Sequence, residues 1–288
     1  MTFHAEQMSS DGSREMNGPR PDSDSVTDYL QTDDAHQRWI SHYRGPENER
    51  FYELALDHAI KTMKLGHGDT IHDFGCGSAQ HSIRFARRGL DVRAFDFSVS
   101  ALDLAAAAVE KAGLSDRISL AQGDLTKLSL ADGSVRFGLC WGVLMHIPEV
   151  ETAIAELSRV MSPGAVLLVS EGNTSAPLSA LIRHARVLLK KGVQPRRVPA
   201  GFEYWTREAT GALVTRQSDV GWLRRTFAAH GMQLYCRHSG QFTELYTRFD
   251  GARLRKAIHS FNRAWFRLDP LPAWSGANML YFRKTENP

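Results

Sequence analysis

His72-Asp73-Phe74-Gly75-Cys76-Gly77-Ser78-Ala79 is the stretch whose reading decides the fold. The apolar and β-branched residues up to Phe74 predict a strand over residues 70–74, and a helix opens near Gln80 and stops at Gly89. Two glycines at such a bend let the backbone approach a ligand closely. A strand, a Gly-x-Gly turn and a helix also suit a dinucleotide, so the motif alone does not choose the ligand. Two details do. Gln80 stands where a dinucleotide site needs its third glycine. Asp73 lies two residues before the first glycine, where its charge would oppose a pyrophosphate and attract a cation.

Working outward, the chain alternates strand and helix. Further strands are predicted over residues 92–96, 117–121, 135–141 and 165–171. Helices are predicted from Ser98 or Ser100 to Gly113 and over 150–161, with Ser162-Pro163-Gly164 as a turn. Crossover helices between successive strands imply a parallel sheet. After residue 216 the chain resumes with a helix capped by Ser218, a strand over 232–238, a helix over 253–266 and a closing strand over 277–282. Residues 1–27 are polar and read as a disordered tail, followed over 28–66 by N-terminal helices, including an amphipathic one over 51–63.

The ends of the later strands carry more chemistry. Asp96 stands 19 residues after Gly77, where a carboxylate can accept hydrogen bonds from both hydroxyls of a ribose. Gly123-Asp124-Leu125 follows the third strand and can meet an adenine amino group. Cys140-Trp141-Gly142 ends the fourth, with backbone beside the remainder of the ligand.

Over residues 68–171 these pieces together resemble the class I methyltransferases that use S-adenosylmethionine (SAM), near the group that includes quinone-biosynthesis and small-molecule enzymes. The matching pieces are Asp73-x-Gly75-x-Gly77, Asp96 with Ser98, Gly123-Asp124-Leu125, residues 142–148 (GVLMHIP) and Ser162-Pro163-Gly164. The resemblance implies a Rossmann-like α/β fold. Its sheet would have seven strands, mostly parallel, with helices on both faces and an antiparallel last strand. SAM is then the expected cofactor, held by Asp73, Gly75, Gly77, Asp96, Phe97, Asp124, Leu125, Cys140 and Trp141, with Tyr43 closing over its methionine end. His146 is the candidate general base, suited to deprotonating an acceptor hydroxyl; the competing reading is a structural histidine. His81 is expected on the following helix in a structural role. The family's usual third glycine is Ala79 here, which should be tolerated because alanine is small and favours a helix.

Residues 172–216 break the rhythm and read as a helical cap inserted after the fifth strand, within a domain spanning 67–288. Its one clear helix sets Leu178, Leu181, Ile182, Ala185, Leu188 and Leu189 on one face. From Gly172 to Phe202 there are six basic residues (Arg183, Arg186, Lys190, Lys191, Arg196, Arg197) and no acidic one. That segment suits an acidic substrate or RNA, or is a solvated helix face and loop. Phe202 is its only aromatic, which weighs against RNA. Tyr204, Trp205, Arg207 and the loop Gln241-Phe242-Thr243-Glu244 are candidate pocket walls.

The bulk numbers narrow the class further. A net charge of +3 does not by itself imply a nucleic-acid partner. Three cysteines without metal-finger spacing suit a reducing compartment. No apolar run is long enough to span a bilayer, and no signal-type segment opens the chain. The expectation is a cytoplasmic methyltransferase acting on a small molecule, with O-methylation favoured and with no metal and no membrane partner. RNA or protein methylation, or SAM binding without turnover, are the alternatives.

Overall fold

The structure is a computed structural model and describes residues 14–15, 23–33, 35–37, 45–190, 192–249 and 251–286. Its centre is a seven-stranded sheet. Five strands run parallel: β2 (Thr70–Phe74), β3 (Asp91–Asp96), β4 (Ile118–Gln122), β5 (Val135–Trp141) and β6 (Met161–Gly172). The order across the sheet is β10-β11-β6-β5-β2-β3-β4, where β10 is Met232–Ser239 and β11 is Ala277–Lys284. β11 runs antiparallel to both of its neighbours, as the resemblance implies.

The period of two in the strands divides the core into two layers. Ile71, Leu139, Leu168 and Tyr281 face one side, against helices α2 (Pro46–Met63), α3 (Gln80–Ala86), α4 (Val99–Ala112) and α8 (Ala252–Leu268). Phe74, Cys140, Leu167 and Phe282 face the other, against α5 (Val150–Val160) and α7 (Val220–Ala229). Each helix has a local cause. Ser98 caps α4 by accepting from the Ala101 amide, and Gly113 ends it in the left-handed region. Asp219, rather than Ser218, caps α7 by accepting from Trp222, because Ser218 is consumed as the last residue of a strand. Arg84 on α3 and Arg88 in the turn after it reach Glu49, Glu53 and Asp57 on α2 and fasten the N-terminal helix to the sheet domain.

The region after β6 corrects the sequence reading. Helix α6 (Pro177–Leu189) is present, but the rest of the insertion is an antiparallel sheet of β7 (Arg196–Val198), β8 (Gly201–Glu208) and β9 (Gly211–Ser218). The cap is therefore mixed, not helical. The polar tail is corrected as well. β1 (Arg14–Glu15) pairs with Thr206 and Arg207 of β8, and Ser23–Leu30 is helix α1. Val26, Tyr29 and Leu30 bury against Trp205, Leu213 and Val214 of the cap. Their spacing of three and four residues is the stripe of an amphipathic helix.

Gly211 makes that docking possible. A methyl group there would overlap the Ser25 carbonyl oxygen of α1. Gly211→Ala should therefore lift α1 from β9 at a cost of about 1–3 kcal/mol. Limited proteolysis should then cut between residues 23 and 37 faster than in the parent. Equal cutting rates would show that α1 is not held there.

Candidate active site

The carboxyl ends of β2, β3 and β5 open into one cavity of about 600 Å³, within the size range of ligand sites. Its floor is the glycine turn. Gly75 (φ +80°) and Gly77 (φ +52°) occupy the left-handed region. A side chain on Gly75 would also strike Val143, its Cβ lying 2.5 Å from a Val143 methyl. The Gly75 and Cys76 amides both donate to the Phe95 carbonyl and hold the turn against β3. Ala79 is not the helical residue expected from its type. It takes φ +56° as the residue before α3, a conformation that costs an L-residue roughly 1–2 kcal/mol. Its methyl is fully buried in the core, which offsets part of that strain.

Two carboxylates dominate the electrostatics. Asp73 is 2% exposed, and its Oδ2 accepts from Ser82 Oγ at 2.6 Å. Burial pushes its carboxyl up to about 6, against the Ser82 hydrogen bond and with help from the charge of Asp96. Asp96 is buried too. Its Oδ2 accepts from the Gly77 amide at 2.8 Å and its Oδ1 from the Ser98 amide at 3.0 Å. Burial raises its pKa as well, and those amides pull the other way. Two desolvated acids facing one cavity favour a cation and disfavour a phosphate.

The remaining residues singled out from sequence divide. Phe97, Leu125, Trp141 and His146 line the cavity together with Asp73, Gly75, Gly77, Asp96 and Asp124. Asp124 does double duty: its Oδ1 accepts from the amide and the hydroxyl of Thr126, the turn-capping role of an aspartate. Cys140 does not line the cavity. Its side chain is fully buried beside Leu144 and Val150, because strand alternation turns it from the face that Trp141 presents. Tyr43 lies outside the described residues. Tyr204, Trp205 and Arg207 are not wall residues either. Tyr204 packs with Val193 and Phe202, and Trp205 with α1. From the cap, Leu213 and Thr215 of β9 reach the cavity instead, and from the later loop Gln241 and Glu244 do.

His146 donates from Nδ1 to the Val214 carbonyl at 2.7 Å, which fixes the tautomer with its lone pair on Nε2. Burial holds its pKa down at about 4, and the charge of Arg216 adds to that. The ring is therefore neutral at physiological pH. It is also tied to the cap, since Val214 belongs to β9.

Sequence reasoning missed an aromatic corner at one end of the cavity. Tyr52 from α2, His81 from α3 and Trp141 from β5 meet with ring centroids 4.7–6.1 Å apart. His81 is on the helix as expected, yet it faces the ligand space. Burial and the neighbouring Arg84 keep it neutral. Such a corner suits a cationic group. The signal was weak, since the three residues stand on three separate elements. The roof was missed as well: Val26 and Leu30 of α1, with His36 beyond it, line the same cavity as the glycine turn. His36 Nε2 is 3.0 Å from Ser98 Oγ and so stands beside Asp96.

Two of the six basic residues of the cap segment are held inside it. Arg183 is buried, stacks over the Phe202 ring at 4.1 Å and donates to the Thr174 carbonyl. Arg186 is buried over the Tyr204 ring. One face of Phe202 is thus covered by an arginine. Among the described residues no cluster of His, Cys, Asp and Glu has the arrangement of a metal site.

Comparison with known proteins agrees with this geometry. Residues 72–169 match the family described as "Methyltransferase domain". The demethylmenaquinone methyltransferase of Mycobacterium marinum is 30% identical over 192 residues, covering 60% of this chain and 74% of that protein. Across the curated relatives the matched stretch spans from 43% to 74% of their length, and for most of them it is less than two thirds. Two solved structures share the fold over nearly the whole chain. Magnesium protoporphyrin IX methyltransferase from Synechocystis, with S-adenosylhomocysteine bound, has a TM-score of 0.61 at 14% identity, covering 91% of this chain and all of that one. The (4+2)-cyclase SpnF has a TM-score of 0.60 at 18% identity, covering 93% and 99%.

Proposed function

Since this chain belongs to the class I SAM-dependent methyltransferases, we propose that it methylates a small molecule enclosed beneath its cap, with oxygen as the favoured acceptor atom. The observation that carries this reading is the shape of the cavity. It continues past the glycine turn to Gln241 and Glu244 and is roofed by α1 and β9, which suits a small acceptor better than the surface of a nucleic acid or protein. The named relatives act on a quinone precursor and a porphyrin, both small molecules.

The residues fit SAM. Asp96 is set to accept from ribose hydroxyls, and Asp124 and Leu125 flank the adenine end. Asp73 and the Tyr52–His81–Trp141 corner face the charged methionine end. SAM supplies a methyl group activated by its sulfonium charge. The chain's part is alignment and exclusion of water. His146, neutral, is the candidate to accept a hydrogen bond from the acceptor hydroxyl and orient it; a pKa of about 4 makes it a weak base, and its bond to Val214 gives it a structural role as well. The three cysteines are free, which fits a cytoplasmic site of action.

The test is a methyl-transfer assay with labelled SAM against small-metabolite extracts, total RNA and total protein. Label should enter the small-molecule fraction alone. Label in RNA or protein, or binding without transfer to any fraction, would replace this reading. Cofactor choice is checked in parallel by melting curves. S-adenosylhomocysteine at a hundred times its Kd should stabilise the fold by roughly 2.7 kcal/mol, and NAD should not.

Asp73 adds a pH signature. Its acid form predominates below about 6 in the free protein, and a bound cation favours its ionised form. Affinity for S-adenosylhomocysteine, whose amino group is positive, should therefore be level above pH 6 and fall toward tenfold per pH unit below it. Asp73→Asn should remove that inflection in calorimetric titrations. An inflection surviving the substitution would assign it to another group.

A further inference from the structure

Helix α6 is inside out. Its arginines Arg183 and Arg186 are buried, whereas Leu181 is 66% exposed, Leu188 82% and Leu189 61%. The stripe that sequence periodicity assigns to the core thus faces outward. The inversion has a cause. Phe202 and Tyr204 of the cap stack on the two guanidinium groups, and the Thr174 and Val193 carbonyls accept from them. The polar side of the helix is satisfied within, so the apolar side is left outward.

The patch extends beyond the helix. Leu178 and Ile182 of α6 share a small cleft with Phe242, and Phe242 packs on Phe261, which is 48% exposed. Asn173, just before α6, donates to the Ala273 and Ser275 carbonyls, on either side of the half-exposed Trp274. Beside the helix end the charge is basic, and among the described residues Glu244 is the one carboxylate lining the cleft. Lys190, Arg196 and Arg197 are exposed beside the helix end, and no acidic residue occurs from Gly172 to Phe202. Leucines projecting from a short helix, an interfacial tryptophan and a basic flank are the elements of a surface that lies on an anionic bilayer.

We infer that the α6 face docks this protein on the surface of anionic membranes, with Leu181, Leu188 and Leu189 entering the interface and Lys190, Arg196 and Arg197 meeting lipid phosphates. No described helix is long and apolar enough to cross a membrane, so the contact is peripheral. It reverses the expectation of no membrane partner, which rested on the lack of a spanning segment. Docking would also set one edge of the active cavity against lipid, because the cleft beneath α6 shares Gln241, Glu244 and Ala277 with that cavity. The inference stands whichever acceptor is methylated.

The test is co-sedimentation of the full chain with vesicles of phosphatidylcholine alone and of phosphatidylcholine with phosphatidylglycerol. The chain should bind the anionic vesicles, release in high salt, and bind neutral vesicles at least tenfold less. Leu181→Ser with Leu188→Ser should lower anionic-vesicle binding at least tenfold, while the melting shift with S-adenosylhomocysteine persists and reports an intact fold. Arg196→Glu with Arg197→Glu should abolish the preference for anionic lipid. Absence of binding by the parent, or parent-like binding by the leucine variant, overturns the proposal. So does a parent that sediments as a dimer which the leucine substitutions split without any vesicle binding, since a second copy would then be the occupant.

Discussion

Replacing Asp96 with alanine should weaken S-adenosylhomocysteine binding by about 10²- to 10⁴-fold. On the proposed ribose contact, two hydrogen bonds to a charged acceptor are removed from the ligand, each contributing about 1.5–3 kcal/mol, and about 1.4 kcal/mol is tenfold in affinity. The structure adds a second loss. The Gly77 and Ser98 amides both donate to this carboxylate, so alanine also leaves the glycine turn and the start of α4 without their acceptor. The melting temperature should therefore fall along with the affinity. Asp96→Asn keeps one acceptor oxygen and separates the two effects: stability should recover more than affinity does. Calorimetry showing parent-like affinity in a folded alanine variant would withdraw the ribose assignment.

The second large effect concerns the join between the cap and the cofactor site. Arg216 of β9 and Glu203 of β8 are each 2% exposed and pair at 2.7 Å. Arg216 also donates to the carbonyls of Leu144 and Ile147, on the turn that carries His146. Arg216→Ala leaves a buried carboxylate without its cation and takes a donor from the Ile147 carbonyl, while the Leu144 carbonyl keeps the Ile147 amide. The expected cost is about 3–5 kcal/mol, read by urea denaturation. Arg216→Met with Glu203→Gln should restore much of it, because neither partner is then left as an isolated charge. A loss below about 1 kcal/mol in the single variant would mean that the cap relaxes away from the turn. The same contacts bear on removal of residues 172–216. Such a deletion takes Arg216 with it, so it should damage cofactor binding as well as turnover.

How much of this was legible in the sequence depends on where each residue's partners lie. β2 and β5 fall where the sequence sets them, each bounded by turn glycines: Gly68 and Gly75 about β2, Gly133 and Gly142 about β5. Asp73, Gly75, Gly77 and Asp96 were legible because their chemistry depends on short spacings along the chain. The cap strands were not. β8 and β9 bury both of their faces, so they show no clean alternation, and Glu203 and Arg216 look like solvent-facing charges until their pairing is seen. The face of α6 was misread for the same reason: the periodicity is real, but buried arginines reverse its direction. Helix α1 carries its own stripe in Val26, Tyr29 and Leu30, hidden by a polar surrounding of Ser, Asp and Pro. The Tyr52–His81–Trp141 corner exists only once three elements converge.

The roof formed by α1 and β9 has a meaning in time as well as in space. Its two halves come from residues 23–30 and 211–218, and Leu30 and Leu213 both look onto the ligand space. If spent donor is exchanged for fresh donor through this seam, parting of the two halves sets the slow stage of each cycle. An enzyme paced in that manner completes its first round faster than the later ones. The clock of the reaction would then be set at the seam between an N-terminal helix and the cap, and not at the methyl group.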